Sequence, residues 1–199
     1  GVSRNRLARL DETGALDPVF STGVGANDSI RQIRVYNQGT NTGRILIAGF
    51  FTAVSGTNRG GIARLNQNGS MDLTFDPGAG ADNAIHGMAL QDDGRIVIGG
   101  GFSTFNGAPR NFVARINPNG SLDTSFNPGT GANGTVFTVA VQQDGKVLLG
   151  GTFTSINGFA ATNLARLNSN GTVDTSFNPG GNGADSTVRS ILVQTDGKI

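Results

Sequence analysis

Leu164-Ala165-Arg166-Leu167-Asn168-Ser169-Asn170-Gly171-Thr172-Val173-Asp174-Thr175-Ser176-Phe177 decides the fold, because the chain carries versions of it four times. Ala-Arg-[Leu/Ile] begins at Ala8, Ala63, Ala114 and Ala165, at spacings of 55, 51 and 51 residues. A period near fifty residues, assembled from short strands, belongs to propellers and arrays. Outward from this stretch, Asn163–Leu167 reads as a strand c, Asn168-Ser169-Asn170-Gly171 as a turn, and Thr172 to Phe177 as a strand d. Upstream, Val136–Val141 reads as an inner strand a, Gln143-Asp144-Gly145-Lys146 as a tight turn, and Val147–Phe153 as strand b. Thr154 to Ala161 reads as a longer loop. Short β-branched runs separated by Gly and Asn turns predict antiparallel all-β structure, and four strands per unit predict a β-propeller of four-stranded blades, about 51–55 residues each.

The units place equivalent residues at equivalent points. The c–d turns end in Gly14, Gly69, Gly120 and Gly171, where a turn visiting positive φ demands glycine. Phe51, Phe102 and Phe153 on strand b, with Phe20, Phe75, Phe126 and Phe177 on strand d, read as wedges between blades. Each strand-c arginine precedes an aspartate by eight residues: Arg9–Asp17, Arg64–Asp72, Arg115–Asp123, Arg166–Asp174. A hairpin with a glycine bulge sets each pair opposite one another, which predicts structural ion pairs, not four carboxylate sites. The first unit departs by a four-residue insertion within Tyr36 to Arg44. The predicted organisation is 1–22 as strands c and d of a split blade, 23–77, 78–128 and 129–180 as full blades, and 181–199 as the start of another. Three closures suit such ends: a four-bladed ring, two copies in an eight-bladed ring, or an excerpt of a longer chain, and the last is favoured.

Composition narrows the function classes. The 199 residues include 32 Gly and no Cys or Trp, which excludes disulfide scaffolding and thiol chemistry. A net charge of +1 gives no electrostatic case for nucleic acid or an acidic membrane surface. No run is long and apolar enough for a membrane span.

The pattern Leu-Asn-x-Asn-Gly-x-x-Asp-x-x-Phe, then Gly-x-Gly-Ala-[Asn/Asp], then Gln-x-Asp-Gly-[Lys/Arg]-[Ile/Val], then Gly-Gly-x-Phe, resembles the bacterial delta-60 repeat. That resemblance covers essentially the whole chain. It departs at the insertion and at Ala161, where other units have Arg4, Arg59 and Arg110. It implies a β-propeller in a secreted or cell-surface bacterial protein, with a scaffold or binding role. It brings no catalytic residues and no cofactor.

Positions identical in every unit are architecture, and positions that differ are free to carry function. The second residue of strand a differs: Arg31, His86, Phe137 and Arg189. Strand a is expected to line a central channel, which places these four near its mouth on the face built by the d–a and b–c loops. They form the candidate ligand-binding set, suited to an anionic or sugar ligand through charge-assisted hydrogen bonds and stacking. Phe50, Phe112 and Phe159 also break the repeat, and Phe159 in a b–c loop is a candidate contact residue. Gly-Ala-[Asn/Asp] recurs at Asn27, Asp82, Asn133 and Asp185. One such side chain per blade is too few for a Ca²⁺ site and is read as capping its own loop. The Asn-x-[Ser/Thr] triplets at Asn27, Asn68, Asn119, Asn133 and Asn170 are read mostly as turn chemistry. No metal site is expected.

The expected function is therefore non-enzymatic: an interaction or structural module whose loop face meets a protein or glycan partner. Neighbouring domains or copies that complete the propeller are further expected partners. The alternative, a polysaccharide hydrolase or lyase at the channel mouth, lacks the separated carboxylate pair that glycan hydrolysis uses. Asp11, Glu12, Asp28 and Asp76 are the main acids outside repeated positions, and Asp11 and Glu12 fall on the opposite face from Asp28.

Overall fold

The structure, a computed structural model, describes residues 5–178 and 182–199. Three times over, three strands form an antiparallel sheet with a small hairpin beside it. The first repeat holds β1 (Ile30–Val35), β2 (Ile45–Gly49), β3 (Ala53–Val54), β4 (Thr57–Asn58) and β5 (Ile62–Leu65). The second holds β6 (Ile85–Leu90), β7 (Ile96–Gly100), β8 (Thr104–Phe105), β9 (Ala108–Pro109) and β10 (Val113–Ile116). The third holds β11 (Val136–Val141), β12 (Val147–Gly151), β13 (Ser155–Ile156), β14 (Phe159–Ala160) and β15 (Leu164–Leu167). The sheet orders are β1-β2-β5, β6-β7-β10 and β11-β12-β15, so strands a, b and c are as expected and b is central. Strand b is buried at every residue in all three repeats, matching its unbroken apolar run.

The fourth strand is where the expectation needs correction. Strand d shrinks to one antiparallel bridge per repeat: Leu65↔Met71, Ile116↔Leu122 and Leu167↔Val173, with Leu10↔Leu16 at the start of the chain. The aspartate that follows explains this. Asp72 donates its backbone N–H to Arg64 O at 2.9 Å, continuing the ladder. Its side chain then accepts the backbone N–H of Thr74, and Phe75 N–H returns to Asp72 O. That turn takes the chain out of the strand.

The expected b–c loop is also more ordered than expected. In the second and third repeats its tip is Asn106-Gly107 or Asn157-Gly158, with φ of 48° and 76–78°. Positive φ at both central residues defines a two-residue type I′ hairpin. The insertion at Tyr36–Arg44 contains a 3-10 turn at Gly39–Asn41 and is closed by Tyr36 N–H to Arg44 O at 3.0 Å.

Apolar residues gather between repeats. One cluster joins Leu46, Ala48 and Phe75 of the first repeat to Ile85, Met88 and Phe102 of the second. Another joins Val97, Val113 and Phe126 to Val136, Leu149 and Phe153. The phenylalanines are thus the expected wedges. Full burial of one such side chain contributes roughly 1.5–3 kcal/mol.

A clasp at the c–d end binds each unit to the next. Arg64 Nε meets Asp72 Oδ2 at 2.7 Å, its guanidinium carbon lies 5.0 Å from the Phe75 ring centroid, and its Nη1 donates to Pro118 O of the following turn. Arg115 repeats this with Asp123, Phe126 and Ser169 O. A second cation from the start of strand b, Arg44 or Lys146, reaches Asp72 or Asp174 at 2.8 Å. The turn glycines sit inside this clasp: a Cβ on Gly120, at φ +98°, would lie 2.6 Å from the Asp76 carbonyl carbon. The two central pairs are buried, with side chains 3–7% exposed, because the next turn covers them.

Arg4 lies outside the described residues, as does the expected blade boundary at 180 and 181. Among the described residues, no helix is long and apolar enough to cross a membrane.

Candidate functional site

The inner strand of each repeat begins with a bulge. Register against strand b shifts between Ile30 and Gln32, between Ile85 and Gly87, and between Val136 and Thr138. The skipped residues are Arg31, His86 and Phe137. A bulge re-aims the side chain of its extra residue. Here the extra residue is the variable second position of strand a, Arg31, His86 or Phe137. The bulge needs room beneath it. A Cβ on Gly49, Gly100 or Gly151 would collide with the carbonyl of Ser29, Ala84 or Thr135, which accounts for glycine at the end of every strand b.

The re-aimed side chains meet. Arg31 lies over the Phe50 ring, 4.9 Å from its centroid. Phe50 meets His86 edge-on at 5.3 Å, and His86 meets Phe137 at 5.1 Å. Arg189 covers Phe137 at 5.2 Å. All four residues singled out from the sequence therefore fall into one ladder, Arg31–Phe50–His86–Phe137–Arg189. Phe50 is its fifth rung. The sequence marked Phe50 as non-repeating and gave no reason to place it here, because the contact crosses from one repeat to the next.

Charge distinguishes this ladder from the clasp. Among the described residues, no carboxylate pairs with Arg31 or Arg189, whereas Arg9, Arg64, Arg115 and Arg166 each hold an aspartate. Both ladder arginines are exposed. His86 is half-buried, and burial, with the Arg31 charge, pushes its imidazole below the ordinary value of 6.5. Beside it, Gly101 stands where the first repeat has Phe50 and the third has Thr152. The position a Cβ would take on Gly101 lies 3.9 Å from Asn83 Nδ2 and 4.0 Å from His86 Nε2.

The loop face is held together by the Gly-Ala-[Asn/Asp] side chains, though not as expected. Asn27 Oδ1 accepts the N–H groups of Thr52 and Ala53, at 2.9 and 3.0 Å, not those of its own loop. Asn133 does the same for Thr154 and Ser155. Asp82 receives Ser103 and Thr104, and also the Ser103 hydroxyl at 2.6 Å. Burial alone would raise the Asp82 carboxyl, but these bonds hold it below 3.8. These side chains tie the d–a loop to the b–c hairpin and are fully used in doing so. Asn68, Asn119 and Asn170 cap their own turns, each accepting the N–H and hydroxyl two residues on. Among the described residues, no cluster of three or more His, Cys, Asp or Glu is placed to hold a metal ion.

At the other end of the inner strands, a cavity of about 450 Å³ is lined by Arg34, Leu90, Val141 and Leu192, one from each of four inner segments. Tyr36 and Gln91 also border it, and the Tyr36 hydroxyl and Gln91 Oε1 are buried without hydrogen-bond partners. Their third-repeat counterpart, Gln142, accepts Arg166 Nη1 at 3.3 Å, which joins this position to the clasp in that repeat. Burial pushes the Tyr36 phenol up, and Arg64 tempers the rise without reaching the hydroxyl at hydrogen-bond distance. Phe159 is 50% exposed at the tip region of the third b–c hairpin.

Antiparallel all-β repeats joined by buried clasps define a repeat protein of the propeller class. The chain belongs to the family described as a domain of unknown function (DUF5122) beta-propeller, whose model matches residues 1–20, 40–75, 91–126 and 142–177. The last three matched segments run from the a–b turn to the phenylalanine after strand c, and the first ends at the equivalent Phe20. They leave out the d–a loops and inner strands that carry Arg31, His86, Phe137 and Arg189. No curated protein matches the chain.

Proposed function

We propose that the chain is a non-enzymatic interaction module of a bacterial secreted or cell-surface protein, engaging a glycan or protein partner through its d–a and b–c loop face. The Arg31–Phe50–His86–Phe137–Arg189 ladder carries this reading. It gathers five non-repeating residues on one face, while the repeated charged pairs are spent on holding units together. Two exposed guanidinium groups that hold no carboxylate among the described residues suit recognition, and exposed Phe159 of the third b–c hairpin is a separate apolar contact candidate. The setting follows from the delta-60 resemblance. The ladder contains no carboxylate to act as acid or nucleophile.

The test is binding of the purified chain to a panel of bacterial polysaccharides and cell-wall proteins. It is repeated with an Arg31→Gln/Arg189→Gln double variant and with Phe159→Ser. A partner that is lost on loop-face substitution is the expected result. Binding indifferent to all three substitutions, or release of new reducing ends from any polysaccharide, overturns the reading.

A further inference from the structure

Resting on that reading, we infer that the ladder is a subsite for an acidic sugar: carboxylates pair with Arg31 and Arg189, and a ring hydroxyl enters the notch at Gly101. The chemistry of the two arginines favours carboxylate. Each guanidinium carbon lies over a phenyl ring, 4.9 and 5.2 Å from its centroid, and a guanidinium fork that holds no carboxylate of its own is matched to a planar, bidentate one. The aromatic partner also limits rotation, so less freedom is lost when an anion binds.

The notch favours sugar over acidic peptide. At Gly101 no side chain stands beside His86, and the empty position faces an amide donor, Asn83 Nδ2, and an imidazole nitrogen, His86 Nε2. Asn83 is exposed, and its Oδ1 is occupied by Ala84 N–H at 2.7 Å, which leaves the Nδ2 donor outward. A hydroxyl both donates and accepts, so it satisfies the pair together. A carboxylate accepts only, so it is matched to the pair only where Nε2 carries a proton, whereas a hydroxyl suits either tautomer. The repeats themselves show that this notch is dispensable to the fold, since Phe50 and Thr152 occupy the same place in the other two units.

The probes are a galacturonic acid tetramer, the corresponding neutral galactose tetramer and a tetraglutamate peptide, titrated calorimetrically against the intact chain. The galacturonate tetramer is expected to bind at least tenfold more tightly than either other probe. Arg31→Gln and Arg189→Gln should each weaken it at least tenfold, and Gly101→Thr should weaken it several-fold. Gly101→Thr copies Thr152, so an unchanged circular dichroism spectrum and melting temperature are expected. Equal affinity for the neutral tetramer overturns the acidic-sugar assignment and leaves loop-face binding standing. Tetraglutamate binding as tightly as galacturonate, with Gly101→Thr silent, also overturns it in favour of a peptide site. If no probe binds while a partner from the panel still requires the loop face, the assignment fails alone; if neither is seen, both fail.

Discussion

The clasp at the c–d end and the ladder at the mouth of the inner strands both stack arginine on phenylalanine, yet they do opposite things. In the clasp, Arg64 and Arg115 are buried, each 2.7 Å from an aspartate, with Nη1 given to the next repeat. In the ladder, Arg31 and Arg189 are exposed and, among the described residues, unpaired with any carboxylate. The difference teaches that residue type alone says little about role here. A repeated arginine has its partner eight residues downstream and is consumed by architecture. A non-repeated one leaves its donors free.

The strongest way to break the comparison is at the clasp. Asp123→Ala leaves Arg115 buried without its carboxylate, while Arg95 keeps Asp93, and is expected to cost about 3–5 kcal/mol in urea unfolding. A cost below about 1 kcal/mol would show that the clasp is not a buried ion pair in solution. Next comes Gly120→Ala. Its φ of +98° and the 2.6 Å approach to Asp76 predict a loss of about 2 kcal/mol or more. Gly107→Ala, at φ +76° with nothing within 4 Å, should lose only about 1 kcal/mol.

Acid provides a third probe. Burial raises the Asp72 and Asp123 carboxyls, but hydrogen bonds from Thr74 and Arg64, or Ser125 and Arg115, outweigh it and leave both below 3.8. The Lys146 bond leads in lowering Asp174. A lowered folded-state value means stability that is complete above 3.8 and lost as pH falls through the folded values. Melting temperature should therefore drop in that range, and less steeply in a chain carrying Asp123→Asn at matched stability. His86 adds a smaller slope. Its folded value lies below 6.5, so the unfolded chain takes up the proton first and stability declines from 6.5 downward. His86→Asn should remove that decline; if it persists, His86 is not its source.

The smallest stability effect is expected at the ladder ends. Arg31→Gln and Arg189→Gln should shift unfolding by no more than about 0.5 kcal/mol, as exposed positions do. A loss near that of Asp123→Ala would make the ladder another clasp and sharpen the contrast out of existence.

Much of this was legible because the repeat acts as its own control. Four arginines followed by aspartate at the same interval read as pairs, and the inner, central and third strands followed from apolar runs between glycine turns. Other features carry a signal that competes with their surroundings. Asn106-Gly107 and Asn157-Gly158 are strong type I′ hairpin dipeptides, yet the strands that flank them are only two residues each, so the segment reads as loop. Strand d misled because Val173 and Phe177 look like strand residues, while the turn formed by the Asp174 side chain removes the chain from the ladder. Asn27 and Asn133 offered no sequence sign of their targets about 25 and 21 residues away.

The sequence by itself determined the repeat, the order of strands, the ion-pair partners and the four variable positions on strand a. These are properties of local pattern, set by side-chain periodicity and turn chemistry along one repeat. Only the tertiary structure decided that the central ion pairs are buried, that Phe50 joins His86, and that Gly101 opens a notch beside Asn83. Each of these depends on how one repeat lies against the next or how distant loops meet. The ion pairs are covered by the next turn, and the ladder is assembled by the bulge that re-aims each inner strand; neither is visible until the strands are paired.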